Sequence, residues 1–191
     1  MSDAVPRNRS RASLWLIIAL AAAPGAASYL VYYFWPPERT VNYGELIEPL
    51  RLPDLPLALA DGSPFRLSQL RGKWLLVTMD AARCDASCDR KLLYLRQLRL
   101  TQGKDRERIE RVWLITDGAA PRAGALAAYE GTWPVRAGGD VLRLFPARDG
   151  PANHIYVIDP LGNLMMRFPP DPDPRGMVKD LQRLLRASRV G

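Results

Sequence analysis

Cys84 and Cys88 are the only cysteines in this 191-residue sequence, and His154 is its only histidine. Two thiols four residues apart support two chemistries. They pass between dithiol and disulfide, and as soft thiolates they hold Cu(I); a neutral imidazole added as a third ligand also suits Cu(II). Two cysteines are too few for a disulfide-stapled scaffold or a four-thiolate zinc site, and one histidine is too few for a His-rich cage. The plainer alternative is a structural disulfide in an oxidising compartment, although a regular helix holds such a pair near the limit of allowed geometry. A helix N-terminus and the nearby Arg83, Arg90 and Lys91 favour the thiolate, whereas Asp85 and Asp89 oppose it, so the net sign stays open at this point.

These residues fall at the ends of recognisable elements. Trp74-Leu75-Leu76-Val77-Thr78-Met79 follows Gly72-Lys73 as a continuous apolar run, the pattern of a strand buried on both faces. The cysteines come next. Beyond them Leu92, Leu95 and Leu98 recur at helical spacing among Arg90, Lys91, Arg96 and Arg99, and Gly103 ends the helix. Val112–Thr116 predicts a second buried strand, Gly124–Glu130 a short helix, and Leu57–Leu59 with Phe65–Leu67 a small hairpin. His154 stands immediately before Ile155–Ile158, which the turn Asp159-Pro160-Leu161-Gly162 joins to Leu164–Phe168. Asp173 before Pro174 predicts the start of a last helix, with Met177, Leu181, Leu184 and Leu185 as its apolar face. Strand, helix, strand, helix, hairpin and helix is the order of a thioredoxin-like α/β domain.

Leu14 to Trp35 carries no charge and is long enough for one membrane span at about 20 residues. Trp15 at one end, and Tyr29, Tyr32, Tyr33 and Trp35 at the other, suit the headgroup belts. Arg7, Arg9 and Arg11 precede the span, whereas Glu38 and Arg39 cancel after it, so the positive-inside rule leaves the tail cytoplasmic and the rest outside. The rival is a cleaved signal peptide ending near Ala26 and Ala27, which does not explain an apolar run continuing to Trp35. The expected organisation is a cytoplasmic tail (1–13), a transmembrane anchor (14–35), a proline-rich linker (36–56) containing Pro36, Pro37, Pro49, Pro53 and Pro56, and one extracytoplasmic domain (57–191). Without Arg7, Arg9, Arg11 and Asp3 of the tail, 24 basic and 19 acidic residues remain, and the resulting charge of about +5 reads as a solvated basic surface of the outer domain, drawn to anionic headgroups rather than to nucleic acid on that side of the membrane.

The string Gly72-Lys73-Trp74-Leu75-Leu76-Val77, the CxxxC after it, Leu114-Ile115-Thr116-Asp117, and Asn153-His154-Ile155-Tyr156-Val157-Ile158-Asp159-Pro160-Leu161-Gly162 stand in the order of the Sco/SenC family, which the sequence resembles from about residue 50 to 188. That resemblance implies a membrane-anchored, thioredoxin-like protein of the bacterial inner membrane, with its C-terminal domain in the periplasm. Its implied role is handling copper for cytochrome c oxidase assembly. Cys84, Cys88 and His154 would be the copper ligands, the cysteines also the redox pair, and an oxidase subunit or another exported cuproprotein the acceptor.

A second reading is enzymatic: a thiol–disulfide oxidoreductase that reduces the cysteines of a partner's metal site, with Cys84 as the attacking thiol. A third is a tethered interaction module with a vestigial site. A thiol peroxidase would carry Thr or Ser three residues before its cysteine, where this chain has Ala81. No P-loop, dinucleotide-binding glycine fingerprint, HExxH or GxSxG motif occurs.

Overall fold

Uncharged from Leu14 onward, the N-terminal segment forms helix α1, Asn8–Phe34, in a computed structural model that describes residues 8–34, 42–122 and 124–188. Within it Arg11–Phe34 is long and apolar enough to cross a membrane. Pro24 lies inside the helix. The Arg7 and Trp35 flanks, and the Pro36-Pro37, Glu38 and Arg39 part of the expected linker, lie outside the described residues. The chain divides into two units, one reaching to Val41 and the other starting at Asn42.

In the second unit the described residues build a mixed eight-stranded sheet from β1 (Glu45–Arg51), β2 (Leu57–Leu59), β3 (Pro64–Phe65), β4 (Trp74–Asp80), β5 (Ile109–Ile115), β6 (Thr132–Arg136), β7 (Ile155–Ile158) and β8 (Asn163–Phe168). The helices are α2 (Ala86–Thr101), α3 (Ala125–Ala128), α4 (Gly139–Leu142) and α5 (Pro174–Ala187). The strand order is β1-β8-β7-β4-β5-β6-β2-β3. β4 runs parallel to β5, and β5 to β6, while β7 pairs antiparallel with both β4 and β8.

Central position explains the unbroken apolar run of β4. Leu75, Val77 and Met79 enter a core on one face with Val112, Leu114, Tyr156 and Phe145. Trp74 and Leu76 enter the other face, with Leu95 and Leu98 of α2 and Met177, Leu181 and Leu185 of α5. That second face continues, toward the end of β4, into a smaller cluster of Ala82, Cys84, Cys88, Leu92, Trp113, Ile115 and Ala125.

Two strands depart from the sequence reading. Glu45–Arg51 falls inside the expected 36–56 linker, yet pairs antiparallel with β8 across a bulge between Leu46 and Leu50. Its Pro49 sits on an edge strand, where a missing N–H costs no ladder bond. Gly44 brings the chain in close: its N–H donates to the buried Asp180 carboxylate at 2.7 Å. β6 contains Pro134 and is less buried than β4 and β5, so its apolar signal is weak. The hairpin is shorter than predicted, since a 3₁₀ turn takes over at Leu67.

Candidate functional site

β4 ends at Asp80, and five residues later Asp85 caps α2, its carboxylate accepting from the N–H groups of Ser87 (2.9 Å) and Cys88 (3.0 Å). Those amides hold the Asp85 carboxyl below the ordinary carboxylate value, Cys88's first. Cys84 therefore precedes the helix and Cys88 lies in its first turn. The backbone at Cys84 is left-handed (φ 48°), which turns the chain back so that the two Cα atoms stand 5.1 Å apart. A regular helix does not reach across both positions, so the tension between i,i+4 spacing and disulfide geometry does not arise. The two sulfurs are joined in a disulfide.

The loop between β4 and α2 is clamped from β5's side. The Asp117 carboxylate accepts from Ala82 N–H at 3.1 Å, which holds that carboxyl below its ordinary value, and Arg122 N–H donates to the Ala82 carbonyl. Cys88 is only 1% exposed, packed with Trp113, Ile115, Leu92 and Ala125. Asp89 Oδ1 lies 3.6 Å from Cys84 Sγ, and the same carboxylate takes two hydrogen bonds from Arg122 Nη2 (3.0 and 3.1 Å) and one from Tyr129 Oη (3.1 Å). Burial, then the bond to Asp89, pushes the Tyr129 phenol up. The carboxylate beside Cys84 is thus matched by a guanidinium, which offsets the opposition it was expected to offer a thiolate.

His154 is also buried. Its Nδ1 lies 2.7 Å from the Phe168 carbonyl oxygen, which only accepts, so Nδ1 carries a proton; its Nε2 lies 2.7 Å from Asp149 Oδ1. The bond from His154 holds the Asp149 carboxyl below its ordinary value. The ring packs 6.0 Å from that of Tyr156, whose side chain belongs to the sheet face opposite α2. Hence the structure brings Cys84 and Cys88 together but gives His154 other partners. Among the described residues no three His, Cys, Asp or Glu side chains group as a metal site. The donor set is nonetheless suited to copper in part: two thiolates after reduction, and an imidazole whose Nδ1–H is anchored on a carbonyl, which is how ligating histidines are usually oriented.

Lys91 connects the two halves. One turn beyond Cys88, its Nζ contacts the Asp80 carboxylate at 2.8 Å and donates to the Met79 and Ala152 carbonyls. Ala152 lies in the 3₁₀ turn Pro151–Asn153 that leads into His154, so one buried ammonium ties the end of β4, helix α2 and the histidine loop. Lys91 was legible as a charge near the cysteines. Asp80, Arg122, Tyr129 and Asp149 were not: Arg122 and Tyr129 arrive from beyond β5, and Asp80 and Asp149, although close in sequence to Cys84 and His154, belong to no motif that announces their partners.

A family model described as "transmembrane-like, thioredoxin-like, C-terminal domain" matches residues 74–188. Among solved structures, yeast Sco1 aligns with a TM-score of 0.61 at 16% identity, over 74% of this chain and 98% of that one. Yeast Sco1 with copper bound gives 0.59 at 17% identity, over 74% and 96%. A thiol:disulfide interchange protein of the thioredoxin family from Chlorobium tepidum gives 0.56 at 19% identity, over 73% and 98%. The second unit is therefore a thioredoxin-like domain, as the element order predicted, and its fold is shared by copper-binding and disulfide-exchanging proteins alike. No curated protein matches the chain in sequence.

Proposed function

The chain belongs to the transmembrane-like, thioredoxin-like C-terminal domain family, and from that premise we propose that it is a membrane-tethered copper-handling protein of the Sco type. The Cys84–Cys88 pair at the β4–α2 junction carries this reading. Two electrons and two protons from an external dithiol open the disulfide to two thiols. Cu(I) then displaces both protons and is held by the two sulfurs as cargo. His154 is the third ligand: its Nε2 gives up the proton it directs at Asp149 to solvent and turns to the copper, while Nδ1–H stays on the Phe168 carbonyl. Asp149 is about half exposed, so the exchange disturbs little packing. In this reading α1 anchors the protein in a bacterial inner membrane, the thioredoxin-like domain lies in the periplasm, and the acceptor is a cytochrome c oxidase subunit or another exported cuproprotein.

One observation favours a second reading. With the cysteines disulfide-bonded and both His154 nitrogens engaged, the site is also equipped for thiol–disulfide exchange with a partner's metal-site cysteines and no copper of its own. Copper titration of the reduced full-length protein separates the two. One equivalent of Cu(I), lost in Cys84→Ser and weakened at least tenfold in His154→Ala, is expected of copper handling. Wild-type protein that binds no copper but reduces a model disulfide equally well with or without His154 would leave exchange as the function.

A further inference from the structure

Arg111, on β5, is 4% exposed, and its Nε and Nη1 have no hydrogen-bond partner among the described residues. Its Nη2 donates to the Glu130 carbonyl. Among the described residues no carboxylate forms an ion pair with it. Burial disfavours the Arg111 cation first, and Arg99 and Arg96 on α2 add positive charge; the adjacent Glu110, whose carboxylate accepts from Trp133 Nε1, offsets this only in part. A buried guanidinium left half unsatisfied among like charges is costly, and such a group calls for a physical reason.

Arg111 lies at the floor of a cleft of about 460 Å³ lined by Arg96, Arg99, Ala127, Ala128, Glu130 and Gly131. Three of the described lining residues are arginines and one is acidic. The arginines are only lightly committed. Arg96 Nη1 reaches the Ala128 carbonyl at 3.5 Å, and Arg99 donates through Nε to the Ile109 carbonyl and meets the exposed Glu107 at 3.4 Å. Gly131 has φ +76°, and a Cβ there would stand 2.8 Å from Arg111 Nη2, so the turn into β6 leaves just enough room for the guanidinium.

We propose that this cleft binds a tetrahedral oxyanion, a phosphate group, clamped by Arg96 and Arg99 from α2 and by Arg111 from the sheet. A carboxylate presents two oxygens, which one guanidinium fork can engage together. Three guanidiniums arriving from two elements match a group with three or more acceptor oxygens, and a phosphate supplies the negative charge that Arg111 lacks, and acceptors for its sealed Nε and Nη1 once the guanidinium turns toward the cleft. Phosphate comes either as the free ion or on an anionic lipid headgroup.

The test uses the full chain in an uncharged detergent, titrated calorimetrically with inorganic phosphate in phosphate-free buffer and, at matched ionic strength, with chloride. Phosphate binding near one equivalent is expected, weakened at least tenfold in the double variant R96Q/R99Q and abolished in Arg111→Met. The two arginines on α2 are partly solvated, so R96Q/R99Q keeps the test decisive even if Arg111→Met fails to fold. In phosphatidylcholine nanodiscs with and without phosphatidic acid, arginine-dependent thermal stabilisation by the acidic lipid identifies the headgroup as the source; stabilisation only on adding inorganic phosphate identifies the free ion. Equal responses to phosphate and chloride, or equal phosphate affinity in wild type and R96Q/R99Q, would overturn the proposal.

Discussion

Replacing Lys91 by Met keeps an aliphatic stem of similar length but removes the cation that joins β4, α2 and the histidine loop. The side chains of Lys91 and Asp80 are 9% and 14% exposed, so water does not replace the lost partner. Breaking such a buried pair from one side costs about 3 kcal/mol, most of it from the carboxylate left behind. The cost has a defined pH dependence. Burial already pushes the Asp80 carboxyl above its ordinary value, outweighing the pull of Lys91. A carboxyl raised in the folded state binds its proton more tightly there than in the unfolded chain. Stability therefore falls as pH climbs from the unfolded value toward the folded one. Without Lys91 that window reaches to higher pH. The penalty of Lys91→Met is expected to be greatest at pH 7 and above, and to shrink as the pH approaches 4 and Asp80 protonates. Adding Asp80→Asn should recover stability to within about 1 kcal/mol of wild type, since no uncompensated charge remains. Urea unfolding of the disulfide-intact full chain, followed by tryptophan fluorescence across that pH range, measures all three quantities. A penalty below about 1 kcal/mol at pH 7, or one that does not change with pH, would refute the reasoning.

Two further perturbations probe other joints. Gly176→Ala places a Cβ 2.4 to 2.8 Å from the Tyr43 ring, whose hydroxyl accepts from Asp173 N–H, so an overpacking loss of about 1–2 kcal/mol is expected, and Tyr43→Ala should remove most of it in the double variant. Equal losses in both backgrounds would show that Tyr43 is not docked on α5. Arg122→Gln frees the negative charge of Asp89 beside Cys84. The reduced Cys84 thiol should then alkylate more slowly at neutral pH than in wild type, because the unscreened carboxylate disfavours the thiolate, and an unchanged alkylation rate would show that Arg122 does not screen Asp89.

The parts of this protein legible in its sequence are those specified by neighbours along the chain. The apolar run at Trp74–Met79, the leucine spacing of α2, the turn at Asp159–Gly162 and the Asp173-Pro174 helix start all announce themselves within a few residues, and each forms the expected element. The cysteine pair was equally plain, because its members are four residues apart and nothing else in the chain competes for them. The less buried strands were harder. β1, at an edge of the sheet and mostly exposed, and β6, between β5 and β2, both contain prolines, and what makes them strands is their partners, β8 in one case and β5 with β2 in the other. Harder still were the contacts that tune the site. His154 directs its ring nitrogens at the Phe168 carbonyl of β8 and at a carboxylate in the preceding loop, Asp89 meets an arginine from beyond β5, and Lys91 bridges two loops. The sequence names these residues and says nothing of their partners. A hydrogen bond or an ion pair reaches about 3 Å, and which groups come that close depends on the packing of the whole sheet against its helices.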